Sequence, residues 1–343
     1  MHMADALLSP GTAAVMYAAS GAAAGISVYR LKKQDLTEKV PLMAVSAALV
    51  FAGQMINYTI PGTGSSGHLC GGMLLSALLG PEAGFLSMIT VLLIQCLFFA
   101  DGGLMALGAN VWNMAFYGCF LGYYLIWRPI VNSGLFGGDM KKKIAFASVL
   151  GCILTLQCGA FSVVLETTAS GITELPFGAF AGLMLPIHLA IGLVEGLITT
   201  AVLEYVWASR PELLAGVEEK GEAKSSMRSV LAVLLAVVVV TGGFLSHLAS
   251  SNPDGLEWAL FGNADGGYSA NMGLDEEDFG VASSVADTAG SIQESTSFLP
   301  DYAFKNSDSA MGTTVSGLVG SAIVAGVALV VAVAAGKNRK KTA

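Results

Sequence analysis

Apolar runs of about 20 residues, long enough to cross a bilayer as helices, recur along the chain at 9–29, 41–59, 84–100, 106–127, 143–165, 178–208, 229–249 and 313–336. A shorter apolar piece, 69–80, is too brief for a comfortable helical crossing. The polar segments between them alternate in charge. "YRLKKQDLTEK" at 29–39, Arg128–Lys143 and Arg210–Arg228 carry Lys and Arg, whereas "YTIPGTGSSGH" at 58–68 and "ETTASGITELPFG" carry none. Basic loops stay on the cytoplasmic side, so the pattern predicts basic segments inside and the others outside. Going from outside at His68 to inside at Arg128 takes an odd number of crossings. Piece 69–80 therefore counts as a third, turning at "GPEAG". The expected architecture is all-α and polytopic: about seven crossings up to residue 210, then two more, with the amino terminus outside and the carboxy terminus cytoplasmic.

Composition strengthens this reading. Of 343 residues 54% are hydrophobic and 12% charged, where a soluble globule has about a quarter charged. The 42 glycines suit close helix approach in a membrane. The net charge of −8 comes from a loop at 250–311, where eleven acidic residues face one base, Lys305. A polar stretch at 211–228 is the expected linker between a unit at 1–210 and a second at 229–343. Nothing is basic enough for nucleic acid. The five cysteines include no C-x-x-C pair and read as small buried hydrophobes.

The candidate chemistry lies at the start. "MHMADALLSP" has no basic residue ahead of its apolar core, unlike a signal peptide, so an unprocessed amino terminus on the outer face is expected. The Met1 amine, the amide nitrogen of residue 2 and the His2 imidazole can close two fused chelate rings on one metal ion. Nitrogen donors in a plane suit Ni(II) or Cu(II). His68 is the one histidine of the first outer loop and the expected fourth donor; Cys70 is a rival that would shift preference towards Zn or Cu(I). Asn110 and Asn113, at i and i+3, either hydrogen-bond the amino-terminal segment, orient His68, or act as interhelical glue. His188 and Glu195, two turns apart in one span, are expected to brace the bundle by a mutual or cross-helix hydrogen bond. His247 ends a span and is expected to be solvated. Asp254 and Glu257 can attract cations through their field.

The stretches "MHMADALLSP", "SSGHLCGG", "DGGLMALGANVWNMAF" and "PIHLAIGLVEGLIT" resemble the substrate-specific membrane component of energy-coupling-factor (ECF-type) nickel/cobalt transporters, the CbiM/NikM type. "PDGLEW" at 253–258 resembles the small CbiN/NikN component, here on the same chain. The resemblance implies seven helices with the amino terminus dipping into their centre. It implies a transported Ni(II) or Co(II) ion held by Met1, His2 and His68, and as partners a transmembrane coupling protein (T component) and cytoplasmic ATPases (A component). No G-x-x-x-x-G-K-[ST] phosphate loop occurs, so ATP is expected to be used only by those partners. A membrane metallopeptidase would carry H-E-x-x-H, which is missing, and a stand-alone carrier would show inverted repeats, which are not evident.

Overall fold

The computed structural model describes all residues except 35, 37, 38, 173, 220, 265–271, 276–278, 308, 310 and 337–343. Several expectations therefore lie outside the described residues: Lys220, five acids of the 250–311 loop (Asp265, Glu276, Glu277, Asp278 and Asp308), and the basic tail.

The chain forms helices α1 (Pro10–Leu31), α2 (Val40–Gln54), α3 (Gly72–Leu79), α4 (Pro81–Phe99), α5 (Leu107–Val111), α6 (Arg128–Val131), α7 (Met140–Ala169), α8 (Phe177–Ser209), α9 (Met227–Gly243), α10 (Gly255–Phe261), α11 (Ser284–Thr296) and α12 (Met311–Ala335). The apolar runs become helices, and two further ones, α10 and α11, form in the acidic loop. Among the described residues α1, α4, α7, α8 and α12 are long and apolar enough to cross a membrane, and α2 and α9 are shorter apolar helices. The span expected at 106–127 is continuous from α5 through α6, but its middle, Trp112–Trp127, is a π-helix. Large apolar side chains such as Val15, Leu125, Leu154, Leu197 and Val330 point outward. A bilayer solvates such a surface and water does not. The chain is an all-α, multi-pass membrane protein.

The short piece behaves unlike the others. Helix α3 has eight residues, a rise of about 12 Å, which is well short of a bilayer core. The strand β2 (Ser65–Gly67), paired antiparallel with β1 (Tyr58–Ile60), precedes it and is fully buried. Non-helical backbone at such depth is tolerated only inside protein. Here it lies between neighbours: a Cβ on Gly72 would come within 2.9 Å of Met114 O, and one on Gly118 within 2.8 Å of Gly72. Glycine at both positions lets α3 and the π-helix touch backbone to backbone.

The termini of these elements sort to two ends. At one, Arg30 pairs with Glu82 of the "GPEAG" turn at 2.9 Å, Lys39 Nζ donates to Leu79 O, and the Ala215 amide donates to Ala77 O. Asn132 Nδ2 donates to Gly216 O at the same end. At the other end lie Met1, His68, Asp101 and Asp254. The basic segments 29–39, 128–143 and 210–228 thus share an end, and the piece 69–80 runs between the two.

Candidate functional site

The amino-terminal segment is threaded into the protein. Asn110 clamps Met3 twice, its Oδ1 accepting from Met3 N at 2.7 Å and its Nδ2 donating to Met3 O at 3.2 Å. Gly103 N also donates to Met3 O, and Asp5 Oδ1 accepts from Ala106 N. Met1 and Met3 are buried. The pull is sequence-encoded, because Met1, Met3, Leu7 and Leu8 supply apolar surface for the core while Asp5 finds a backbone donor.

Three groups converge at the buried front. The Met1 amine lies 3.5 Å from His68 Nε2, and the His2 and His68 rings stack with centroids 5.3 Å apart. His68 Nδ1 is 3.0 Å from Leu69 O, which can only accept, so it must donate to it, which leaves a lone pair on Nε2, facing the amine. His2 lies between two acceptors. Gln54 Nε2 donates to Cys70 O at 2.8 Å, so Gln54 Oε1 accepts from Gln95 Nε2 at 2.7 Å. Gln95 Oε1 is thereby an acceptor for His2 Nε2 at 3.3 Å, and it competes for the one ring proton with the carboxylate of Asp101 at Nδ1. Burial pushes this imidazole down to about 4, against the opposing pull of Asp101, so it is neutral at neutral pH.

Two carboxylates face these donors. Asp101 Oδ1 is 3.2 Å from His2 Nδ1, and its other oxygen accepts from the Tyr302 hydroxyl at 2.5 Å. Asp254 Oδ2 accepts from the Met1 amine at 2.8 Å and lies 3.7 Å from His68 Nε2. Burial works to raise Asp254, but the amine and His68 outweigh it and hold the carboxyl well below its usual range. Electron-rich atoms thus surround a centre that a cation would satisfy. A cavity of about 870 Å³, lined among others by His2, His68, Asp101, Asp254 and Glu257, adjoins it. Among the described residues no cluster of three or more His, Cys, Asp or Glu side chains is placed to hold a metal. Holding an ion here needs main-chain nitrogen as well as imidazole.

The remaining candidates separate from this centre. Cys70 is buried, and its Sγ donates to Met114 O. Asn113 does not reach His68; it donates to Glu166 Oε2 at 2.8 Å and to Met3 Sδ. His188 and Glu195 do not bond to each other. Glu195 accepts from the Cys70 and Gly71 amides at 2.7 and 2.9 Å, a bond from α8 to the backbone just before α3. His188 Nδ1 donates to Met184 O, and its buried Nε2 has no hydrogen-bond partner. It borders a space of about 10 Å³ shared with Met1, His68, Cys70 and Asp254, about the room for one water. His247 meets Thr314 through Nε2 at 2.5 Å. Sequence reasoning overlooked Asp101, Gln54, Gln95 and Glu166. Their only signal was polarity inside or at the end of an apolar run.

Comparison with known proteins places the chain in a family. The family model described as the cobalt uptake substrate-specific transmembrane region (CbiM) matches residues 2–213, and that of the PDGLE domain matches 228–337. The chain belongs to the CbiM family. A putative fused nickel transport protein of Archaeoglobus fulgidus is 37% identical over 94% of this chain and 95% of its own. A fused nickel transport protein of Rhodobacter capsulatus is 30% identical, with 96% of each chain covered. The crystal structure of a truncated transition metal transporter superposes with a TM-score of 0.53 and 32% identity, covering 61% of this chain and 99% of that one. The chain is accordingly a nickel/cobalt transport component of this family and not an enzyme.

Proposed function

We propose that this CbiM-family chain is the substrate-specific component of an ECF-type importer and captures Ni(II) from outside the cell. The donors are the Met1 amine, the residue 2 amide, His2 Nδ1 and His68 Nε2, in a plane. The observation that carries this reading is the convergence of Met1, His2 and His68, with the His68 lone pair on Nε2 facing the amine. Four nitrogens in a plane favour Ni(II), and Mg(II) and Ca(II), which prefer oxygen, are discriminated against. Co(II) is the second reading, favoured by the cobalt named in the family description.

The unit at 1–210 holds the ion, 211–228 links it, and 229–343 is the smaller unit. The amino terminus faces outward, and the carboxy terminus and the basic segments face the cytoplasm of a bacterial or archaeal cell. A transmembrane coupling protein and cytoplasmic ATPases supply the energy, since the sequence has no phosphate loop of its own.

Titration of the purified chain with Ni(II) tests the reading against a version carrying one extra residue before Met1. The extension is expected to abolish tight binding, and His2→Ala and His68→Ala to do the same. Unchanged affinity in the extended chain overturns it.

A further inference from the structure

The carboxy-terminal unit reaches the centre of the amino-terminal one through its "PDGLE" segment. Ser66 N, two residues before His68, donates to Pro253 O at 2.8 Å, and Ser66 Oγ donates to Asn252 O. Gly255 then passes against α8: a Cβ there would meet Ile191 Cδ1 at 3.0 Å and His188 Cε1 at 3.2 Å. A side chain there would require these neighbours to shift by a few tenths of an ångström.

Asp254 is divided between two tasks. It is the N-cap of α10, and its Oδ1 accepts from Leu256 N and Glu257 N at 2.8 and 2.9 Å. Glu257 Oε2 accepts from Asp254 N in return and closes a capping box. The box fixes the carboxylate and leaves Oδ2 to face away from α10. That oxygen accepts from the Met1 amine at 2.8 Å. The cap aims one oxygen by holding the other.

We propose that Asp254 is a positioning residue of the ion-binding site, so that the carboxy-terminal unit completes the site by orienting the Met1 amine. This rests on the reading of Met1, His2 and His68 given above. An amine on a single-bonded carbon rotates freely, and its lone pair must point at the ion for chelation. A fixed acceptor on one N–H removes that freedom and raises the donor strength of the nitrogen. Groups that orient metal ligands in this way typically contribute about 10–100-fold to affinity. Asp254 never needs to touch the ion, and its hydrogen bond survives loading because a coordinated amine still has N–H groups.

Asp254→Asn and Asp254→Ser in the full chain provide the test, because Asn and Ser are both good N-caps. If Asp254 matters only to α10, both variants bind Ni(II) as the unaltered chain does, and the proposal is overturned. If it orients the amine, both bind Ni(II) about 10–100-fold more weakly, while the absorption bands of the bound ion keep the unaltered chain's pattern because the four donors are retained. Altered bands mean that Asp254 is itself a ligand and also overturn the proposal. The amino-terminal extension separates the two claims. If it abolishes binding while the Asp254 variants bind normally, only this inference falls; if it leaves binding intact, the underlying reading falls with it.

Discussion

Which nitrogen of an imidazole keeps its lone pair depends on the hydrogen bond made by the other. At His2 two acceptors compete for the ring proton: Gln95 Oε1, whose sense is set by the carbonyl of Cys70 through Gln54, draws it to Nε2, and Asp101 draws it to Nδ1. Each amide in the relay has one sense only, since a carbonyl cannot donate. Gln95→Leu should break the relay without adding charge and leave Asp101 to hold the proton on Nδ1, the nitrogen the proposed chelate needs. Ni(II) affinity is then expected to fall about 10–100-fold, as for other groups that orient metal ligands, which calorimetric titration would measure. His68 needs no relay because Leu69, its own neighbour, supplies the carbonyl. Asn110 acts differently. It mimics a strand partner for Met3 and fixes how deep the amino terminus sits.

At the scale of elements, α3 is the least self-sufficient piece. Eight residues make little helix, and its first turn begins in the buried interior, where free amide donors are costly. Glu195 of α8 holds the backbone that leads into it, accepting from Cys70 N and Gly71 N. Glu195→Ala leaves two buried donors without an acceptor, and a loss of about 2–5 kcal/mol is expected, readable as a lower thermal midpoint in detergent. Metal binding should weaken as well, since His68 lies immediately before the segment so held. The π-helix at Trp112–Trp127 is a second irregular element. It carries Gly118 against Gly72 and thereby packs α3 closely.

At the scale of the whole molecule, the two ends have different jobs. One gathers the basic segments with Arg30, Lys39, Arg128 and the linker, and the other gathers the donors and the carboxylates that face them. The carboxy-terminal unit is joined to the site at two points, directly through Asp254 and indirectly through Tyr302, which holds Asp101. Helices α9 and α12 touch so closely that a Cβ on Gly317 would lie 2.0 Å from Gly242 O, which keeps this unit together as it spans. The proposed capture involves no bond-breaking chemistry. Uptake of radioactive nickel by cells producing the chain is therefore expected to require the coupling protein and its ATPases, falling to background without them. Uptake by the chain alone would mark it as a stand-alone carrier.

Hydrophobic period and charge alternation in the sequence were sufficient to determine the all-α membrane class, because a bilayer imposes length and polarity on each span regardless of what the others do. They also singled out Met1, His2 and His68 as candidates, which the structure brings together, since the nitrogens of an amino terminus and its second residue are covalent neighbours. The sequence did not determine that within 69–80 only Gly72–Leu79 would be helix, entered through non-helical backbone at 69–71. That outcome depends on Glu195 and Gln54 arriving from other helices to satisfy its backbone. Nor did it determine the roles of Asp101, Gln95 and Asp254. Asp254 lies 253 residues from Met1 along the chain, and only the folding of the second unit onto the first brings its carboxylate to the amine. Local chemistry is written in neighbouring residues, whereas hydrogen-bond partners across the bundle exist only once the helices have packed.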